Sequence, residues 1–489
     1  MKIKRACAVM LAAAMVLGAA GCGNRAEENG AQKNASLPEK EEQADAGTTE
    51  GADEEQTVSG TETKTVTSEE NTQEGGEDQN AGKGSASGQK QKDGQTEQEE
   101  QQDDKEGEIM GKNEIIPVPE WDAVEIPDNE TLAFIADMQL GWNLGNTFDA
   151  TNCGTSDELA YESAWVGVAT TKEMIHTIAD AGFKTIRIPV SWHNHVDEND
   201  QISKVWMDRV QEVVDWSLEE DMYVIINIHH DNEEGFMYPS YEHLERSKQY
   251  VQAVWKQIAK RFAGYDERLI FETLNEPRHI GTDHEWWIDV NSETGKECID
   301  CVNQLNQTAV DAIRADGTGH NPSRYIMAPG YCASPDYALA DGFVLPTDSG
   351  KAENRILVSV HAYTPYHFAL AGESEQGSTD QFSISEKAGT ADIDAFMGKL
   401  YDKFISRGTG VVIGEFGARA KGNNIEARTE FAAYYVARAR SYGMTACWWD
   451  NNAFGGNGEN FGILRRVKNQ ILYPQIVDQM VYYSSREDS

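Results

Sequence analysis

Two glutamates stand where a strand would hand them to a cleft. Residues 270–277 read Ile-Phe-Glu-Thr-Leu-Asn-Glu-Pro, a β-capable run with no helical period that stops at Asn275, Glu276 and a proline unable to extend a ladder. Residues 411–417, Val-Val-Ile-Gly-Glu-Phe-Gly, stop in the same way at Glu415. A single carboxylate at a strand end is ordinarily solvated or paired with an arginine. Two of them on the same face of one parallel barrel are what hydrolysis of a glycosidic bond requires.

Other apolar runs end in chemistry as well. Ile186-Arg187-Ile188-Pro189-Val190 places a guanidinium among apolar neighbours, where an unpaired charge is costly, so Arg187 needs a carboxylate. His361 and Tyr363 are two apart and share a face. His229, His230 and Asp231 admit a rival reading as a metallohydrolase site, which would also need His361 and a distant carboxylate; hydrogen-bonded core histidines are a third reading. Adjacent strand residues face opposite ways, so at most one of the two histidines lines a barrel mouth unless the strand has already ended there. Cys298 and Cys301 form a lone Cys-x-x-Cys in a helical stretch, weak evidence for zinc or redox chemistry. The chain has seven cysteines, and their spacing assigns no bridge.

Strands capable of carrying these residues are expected at 140–144, 183–190, 223–229, 269–276, 325–328, 356–363, 411–416 and 445–449. Helical periods are read at 171–181, 206–220, 241–262, 298–315, 393–406, 425–441 and 470–482. Alternating strand and helix predicts an α/β fold with parallel strands, and eight strands make a (β/α)8 TIM barrel the natural closure. An open doubly wound sheet would want a glycine-rich phosphate loop after its first strand, and Gly141-Trp-Asn-Leu-Gly145-Asn lacks the spacing.

The barrel is expected to occupy residues 113–489 of the chain. Residues 23–112 are acidic and rich in Glu, Gln, Gly and Ser; the first aromatic residue is Trp121, and such a segment cannot bury enough surface to order itself. It reads as a disordered tether. Residues 1–22 have Lys2, Lys4 and Arg5, an apolar stretch too short to span a bilayer comfortably, then Gly18-Ala19-Ala20-Gly21-Cys22, and read as an export signal. Small residues before a cysteine also resemble the bacterial lipoprotein signal, in which Cys22 would carry lipid. Ala19 stands where that pattern has leucine, so plain secretion is the alternative. With 82 acidic against 42 basic residues, the net charge of -40 argues against nucleic acid as a partner, because phosphate binding needs a basic face.

Taken together, Gly141-Trp-Asn-Leu-Gly-Asn-Thr147, Ile186-Arg-Ile-Pro-Val-Ser-Trp192, Ile226-Asn-Ile-His-His230, Leu274-Asn-Glu-Pro277, His361-Ala-Tyr363, Ile413-Gly-Glu-Phe-Gly417 and Trp448-Trp-Asp-Asn451 resemble glycoside hydrolase family 5. The resemblance is greatest to bacterial endo-β-1,4-glucanases and covers most of the chain after residue 113. It implies Glu276 as general acid/base, Glu415 as nucleophile, and Arg187 and Tyr363 as the groups that hold the nucleophile. It further implies His229, Asn275, His361 and Trp449 as substrate-binding residues, with no metal and no cofactor.

The chemistry asks for the same cast. A nucleophilic carboxylate must stay ionised, which the Arg187 cation and the Tyr363 hydroxyl favour. The acid must start protonated, so Glu276 is expected to have a raised pKa from burial and from repulsion by Glu415. Trp142, Trp165, Trp192, Trp286, Trp287, Trp448 and Trp449 lie near strand ends or in loops, where rings can cover sugar faces, with core packing the alternative for about half of them. Helix-borne Trp206, Trp216 and Trp255 fit core packing better. The expected protein is a secreted or surface-anchored monomer, a retaining endo-β-1,4-glucanase acting on cellulose and related β-glucans. The same chemistry on xyloglucan, mixed-linkage glucan or mannan, and a surface lipoprotein that only binds glycans, are the alternatives.

Overall fold

The computed structural model describes residues 114–486 apart from 457. The expected signal, Cys22 and the tether lie outside the described residues. Eight parallel strands close a barrel in sequence order: β1 Leu140–Leu144, β2 Thr185–Ile188, β3 Tyr223–Asn227, β4 Leu269–Glu272, β5 Ile326–Pro329, β6 Ile356–His361, β7 Val411–Phe416 and β8 Thr445–Asp450. The last pairs with the first from Leu140↔Ala446 to Leu144↔Asp450. Outside the strands stand α2 Lys172–Asp180, α3 Lys204–Glu219, α4 Leu244–Arg261, α5 Glu293–Ala315, α6 Lys387–Lys403, α7 Ile425–Ser441 and α8 Pro474–Ser484. Strands covered on both faces need apolar residues on both, hence the near-continuous apolar runs in the sequence.

The inside of the barrel is layered by strand alternation. Ile225, Ile270, Met327, Leu357, Val412 and Cys447 form one apolar cluster, separate from the larger core against the helices. Helix α1, Glu130–Met138, completes that cluster with Phe134, Ile135 and Met138, and Phe134 stacks on Tyr325 at 3.8 Å. Its periodicity is not among those read from the sequence. Asn129 caps it, its side chain accepting from Leu132 N at 2.8 Å. One step further along the strands the interior turns polar, with Asn143, Arg187, Asn227, Glu272 and Ser359, all fully buried.

Several strands end sooner than expected. β2 is bounded by Gly182, in the left-handed region at φ 102°, and by Pro189. The ladders of β3, β4 and β6 stop at Asn227, Glu272 and His361. Their functional residues therefore lie at or just past the ladder, where side chains no longer obey strict alternation.

Candidate active site

Arg187 organises the polar layer. Its Nε donates to Glu272 Oε2 at 2.8 Å, and Nη2 lies 2.7 Å from the same oxygen as an ion pair. Nη1 donates to Asn143 Oδ1 and Glu415 Oε1, each at 2.9 Å, and Nη2 to Asn275 Oδ1 at 2.7 Å. Burial pulls the guanidinium pKa down, but the charges of Glu272 and Glu415 outweigh it and leave it raised. The expected need for a carboxylate is thus met twice. Glu272 was not singled out from the sequence; its signal was a charge in the middle of an apolar strand. Asn227 Nδ2 at 2.9 Å and Ser359 Oγ at 2.6 Å also donate to it.

Glu415 leaves β7 at an irregularity. The β6 to β7 register shifts between Val360 and His361, which sets His361 opposite Glu415. Gly414 is required by this close approach, since a Cβ there would meet His361 Nε2 at 3.1 Å and Glu272 Oε1 at 3.3 Å. Glu415 accepts from Arg187 on Oε1 and from the Tyr363 hydroxyl on Oε2 at 2.8 Å, and is 5% exposed.

Glu276 follows four residues after the end of β4. His361 Nδ1 bonds its Oε1 at 2.9 Å, and the same nitrogen lies 3.6 Å from Glu415 Oε1. On the other side Arg278 Nη1 lies 3.4 Å from Oε2 and donates to the Glu276 carbonyl at 3.0 Å. Burial pushes the carboxyl up, but the hydrogen bond and charge of His361, then Arg278 and His230, outweigh it and leave the pKa below the ordinary range. This corrects the expected raised value. Burial pushes the His361 imidazole down, while Glu415 and Glu276 raise it above its ordinary value. Both shifts favour the charged pair, a carboxylate on Glu276 facing an imidazolium on His361.

His229 and His230 both reach the barrel mouth, because the β3 ladder has already ended; their rings meet edge to face at 4.4 Å. Asn227 Nδ2 lies 3.1 Å from His229 Nδ1, and since that amide also donates to Glu272, His229 accepts there and keeps its proton on Nε2. Burial, then the charges of His230 and Arg187, lower the His229 pKa well below its usual value, so the ring is neutral. Trp449 lies parallel to it, 6.0 Å away at 3°. Trp448 points the other way, fully buried and donating to Phe461 O at 3.0 Å. Trp142 and Trp192 are fully buried like the helix-borne Trp206 and Trp255, whereas Trp287 is 62% exposed.

Asp231 belongs elsewhere: it accepts from Trp192 N at 2.9 Å, His193 N at 2.6 Å and His193 Nδ1 at 2.8 Å. Among the described residues two groups gather ligand atoms within 4.8 Å of one another, Asp149 with His229 and His230, and Glu276 with His361 and Glu415. Neither suits a catalytic metal. Asp149 already takes the backbone N–H groups of Thr147 at 2.6 Å and Asn146 at 3.0 Å, and burial pushes its carboxyl up to about 7. The second group has both carboxylates already paired with arginines, Glu415 with Arg187 and Glu276 with Arg278, and its histidine nitrogen already bonded to Glu276. Cys298 and Cys301 are buried in α5, and burial pushes both thiols up to about 12, away from the thiolate that zinc or redox chemistry needs.

A family model described as cellulase (glycosyl hydrolase family 5) matches residues 146–455. Endoglucanase B of Ruminococcus albus is 40% identical over 389 residues, 78% of this chain and 88% of that protein. Among solved structures, a glycoside hydrolase 5 lichenase of Caldicellulosiruptor sp. F32, in complex with cellotetraose, is 54% identical with a TM-score of 0.74, covering 75% of this chain and 99% of that one. A broad-specificity endoglucanase of Ruminococcus champanellensis with bound cellotriose is 38% identical with a TM-score of 0.66, covering 73% and 100%.

Proposed function

The chain belongs to glycosyl hydrolase family 5, and we propose that Glu276 and Glu415 are the acid/base and the nucleophile of its reaction. The protein is an endo-acting, retaining glycoside hydrolase of β-glucans. In the proposed chemistry Glu415 attacks the anomeric carbon while Glu276 gives its proton to the departing glycosidic oxygen; the glycosyl ester is then cleaved by a water that Glu276 deprotonates. Substrate binding removes water from the Glu276–His361 pair. A drier site favours the neutral form of the pair, which moves the stored proton from His361 to the carboxyl before bond cleavage. Arg187 and Tyr363 hold the attacking carboxylate, while His229, Asn275, His361 and Trp449 bind the sugar at the cleft floor.

One observation carries this reading: an oxygen of Glu276 and one of Glu415 lie within 4.8 Å of each other. Retaining pairs stand about 5 to 5.5 Å apart and inverting pairs about 6.5 to 9.5 Å, with room for a water between them. A protein that only bound glycans would have no use for this pair and its buried arginine. The test uses soluble cellulose, mixed-linkage glucan, xyloglucan and mannan. On the β-glucans viscosity should fall well before reducing ends accumulate, and proton NMR should show the β-anomer first. An α-anomer appearing before mutarotation would remove Glu415 as nucleophile.

We also propose that the protein is exported and held at the cell surface by lipid on Cys22, a reading supported by the charged, apolar and small-residue order of residues 1–22. Labelled palmitate should mark the wild type and not Cys22→Ala. An unlabelled wild type would leave plain secretion.

A further inference from the structure

Arg278 has no part in the roles assigned so far, yet it is 6% exposed and held at Nη1, at Nε and across its face. Nη1 serves Glu276 twice, at its carbonyl and at Oε2; Nε lies 3.5 Å from Glu285 Oε1; and the guanidinium carbon sits 4.0 Å from the centre of the Trp286 ring. Planarity makes this possible: the face of the ion covers an indole while its edge meets two carboxylates, which a lysine cannot do. The loop is fixed in turn. Glu285 Oε2 accepts from Gly281 N at 2.9 Å, and the Tyr331 hydroxyl accepts from His279 N at 2.9 Å and donates to His284 O at 2.6 Å.

We propose that Arg278 is a positioning residue for Glu276, holding the carboxylate from its Oε2 side and tuning its charge, with Glu285 as the counterweight. The inference rests on Glu276 being the acid/base. His361 grips Oε1, so the two cations between them fix the carboxyl plane. They also pull the two steps in opposite directions. A cation opposes the protonated acid needed in the first step and supports the ionised base needed in the second, after Glu415 has lost its charge to the ester. Besides Arg278 and Glu285, the titratable groups around Glu276 are His230 after β3, Cys332 after β5, His361 on β6, Tyr363 just past it, Glu415 on β7 and Glu459 after β8. None of these changes in the variants below.

The test is the pH profile of kcat/KM on a soluble β-glucan, whose alkaline limb reports loss of the proton shared by the Glu276–His361 pair in the free enzyme, the proton that Glu276 delivers to the leaving group. Arg278→Gln should move that limb up by about half a pH unit or more, and Glu285→Gln, which leaves the arginine uncompensated, should move it down. Arg278→Lys should bring the limb back toward wild type. A merely structural role would lower kcat/KM by one factor at every pH, and profiles that superimpose after scaling overturn the proposal. Circular dichroism checks the fold; should Arg278→Gln not fold, an unmoved limb in Glu285→Gln overturns it alone. Glu276→Gln runs in parallel. If it keeps wild-type activity on the glucan, the acid/base assignment itself has failed, a different result from an unmoved limb with Glu276→Gln inactive.

Discussion

Glu415→Gly should abolish turnover, and azide should restore it in part as the α-glycosyl azide. Loss of the nucleophile removes the covalent intermediate, so kcat is expected to fall on the order of 10⁵-fold, about 7 kcal/mol of barrier. Arg187 Nη1 and the Tyr363 hydroxyl, which flank the lost carboxylate, remain to receive a small anion from that side. Glu276→Ala should behave differently. Activity on natural glucan collapses, because a poor leaving group needs its proton. An aryl glycoside with an activated leaving group is still attacked by Glu415, and azide, which needs no general base, then gives the β-glycosyl azide. Product configuration by NMR decides: the same anomer from both variants, or azide without effect on either, would break the assignment of the two roles.

Arg187→Met should cost more stability than any surface substitution. The arginine is fully buried and joins Glu272, Glu415, Asn143 and Asn275. Its removal leaves Glu272 hydrogen-bonded only to the neutral donors Asn227 and Ser359, with His361 Nε2 4.0 Å away, and breaking a buried ion pair from one side costs about 3 to 5 kcal/mol. Activity should fall on the order of 10²- to 10³-fold as well, since Glu415 loses a preorganised donor. Adding Glu272→Gln to Arg187→Met should recover part of the lost stability, because the second change removes the stranded charge. Denaturant unfolding of the two single variants and the double variant measures this. A loss under about 1 kcal/mol for Arg187→Met, or a double variant that is strictly additive, would show that the arginine is not the hub of the layer.

The Arg187 layer also marks where sequence reading stops. That Arg187 needed a carboxylate followed from its apolar neighbours alone. Which carboxylates answered it did not, because Glu272 is 85 residues away and Glu415 is 228. For Glu276, burial argued for a raised carboxyl, and the sequence held no sign that His361 and Arg278 would flank it. His361 arrives from β6, and Arg278, only two residues on, turns back because its loop is pinned by Trp286 and Glu285. Strict alternation would bring only one of His229 and His230 to the mouth unless the strand had already ended there; the ladder stops at Asn227, and both reach it. The apolar helix α1 closes the other end of the barrel, and nothing in its own nine residues announces that partner.

By itself, then, the sequence determined what is local. Its alternating strands and helices, the glutamates at the ends of two strands, the spacing of His361 and Tyr363 and the cost of a buried guanidinium all follow from short-range geometry and solvation. Only the tertiary structure decided the pairings: two carboxylates on one arginine, one histidine between two glutamates, and a second arginine behind the acid. A charge interacts through space with whatever the fold brings near it, and closing the barrel sets those distances without regard to separation along the chain.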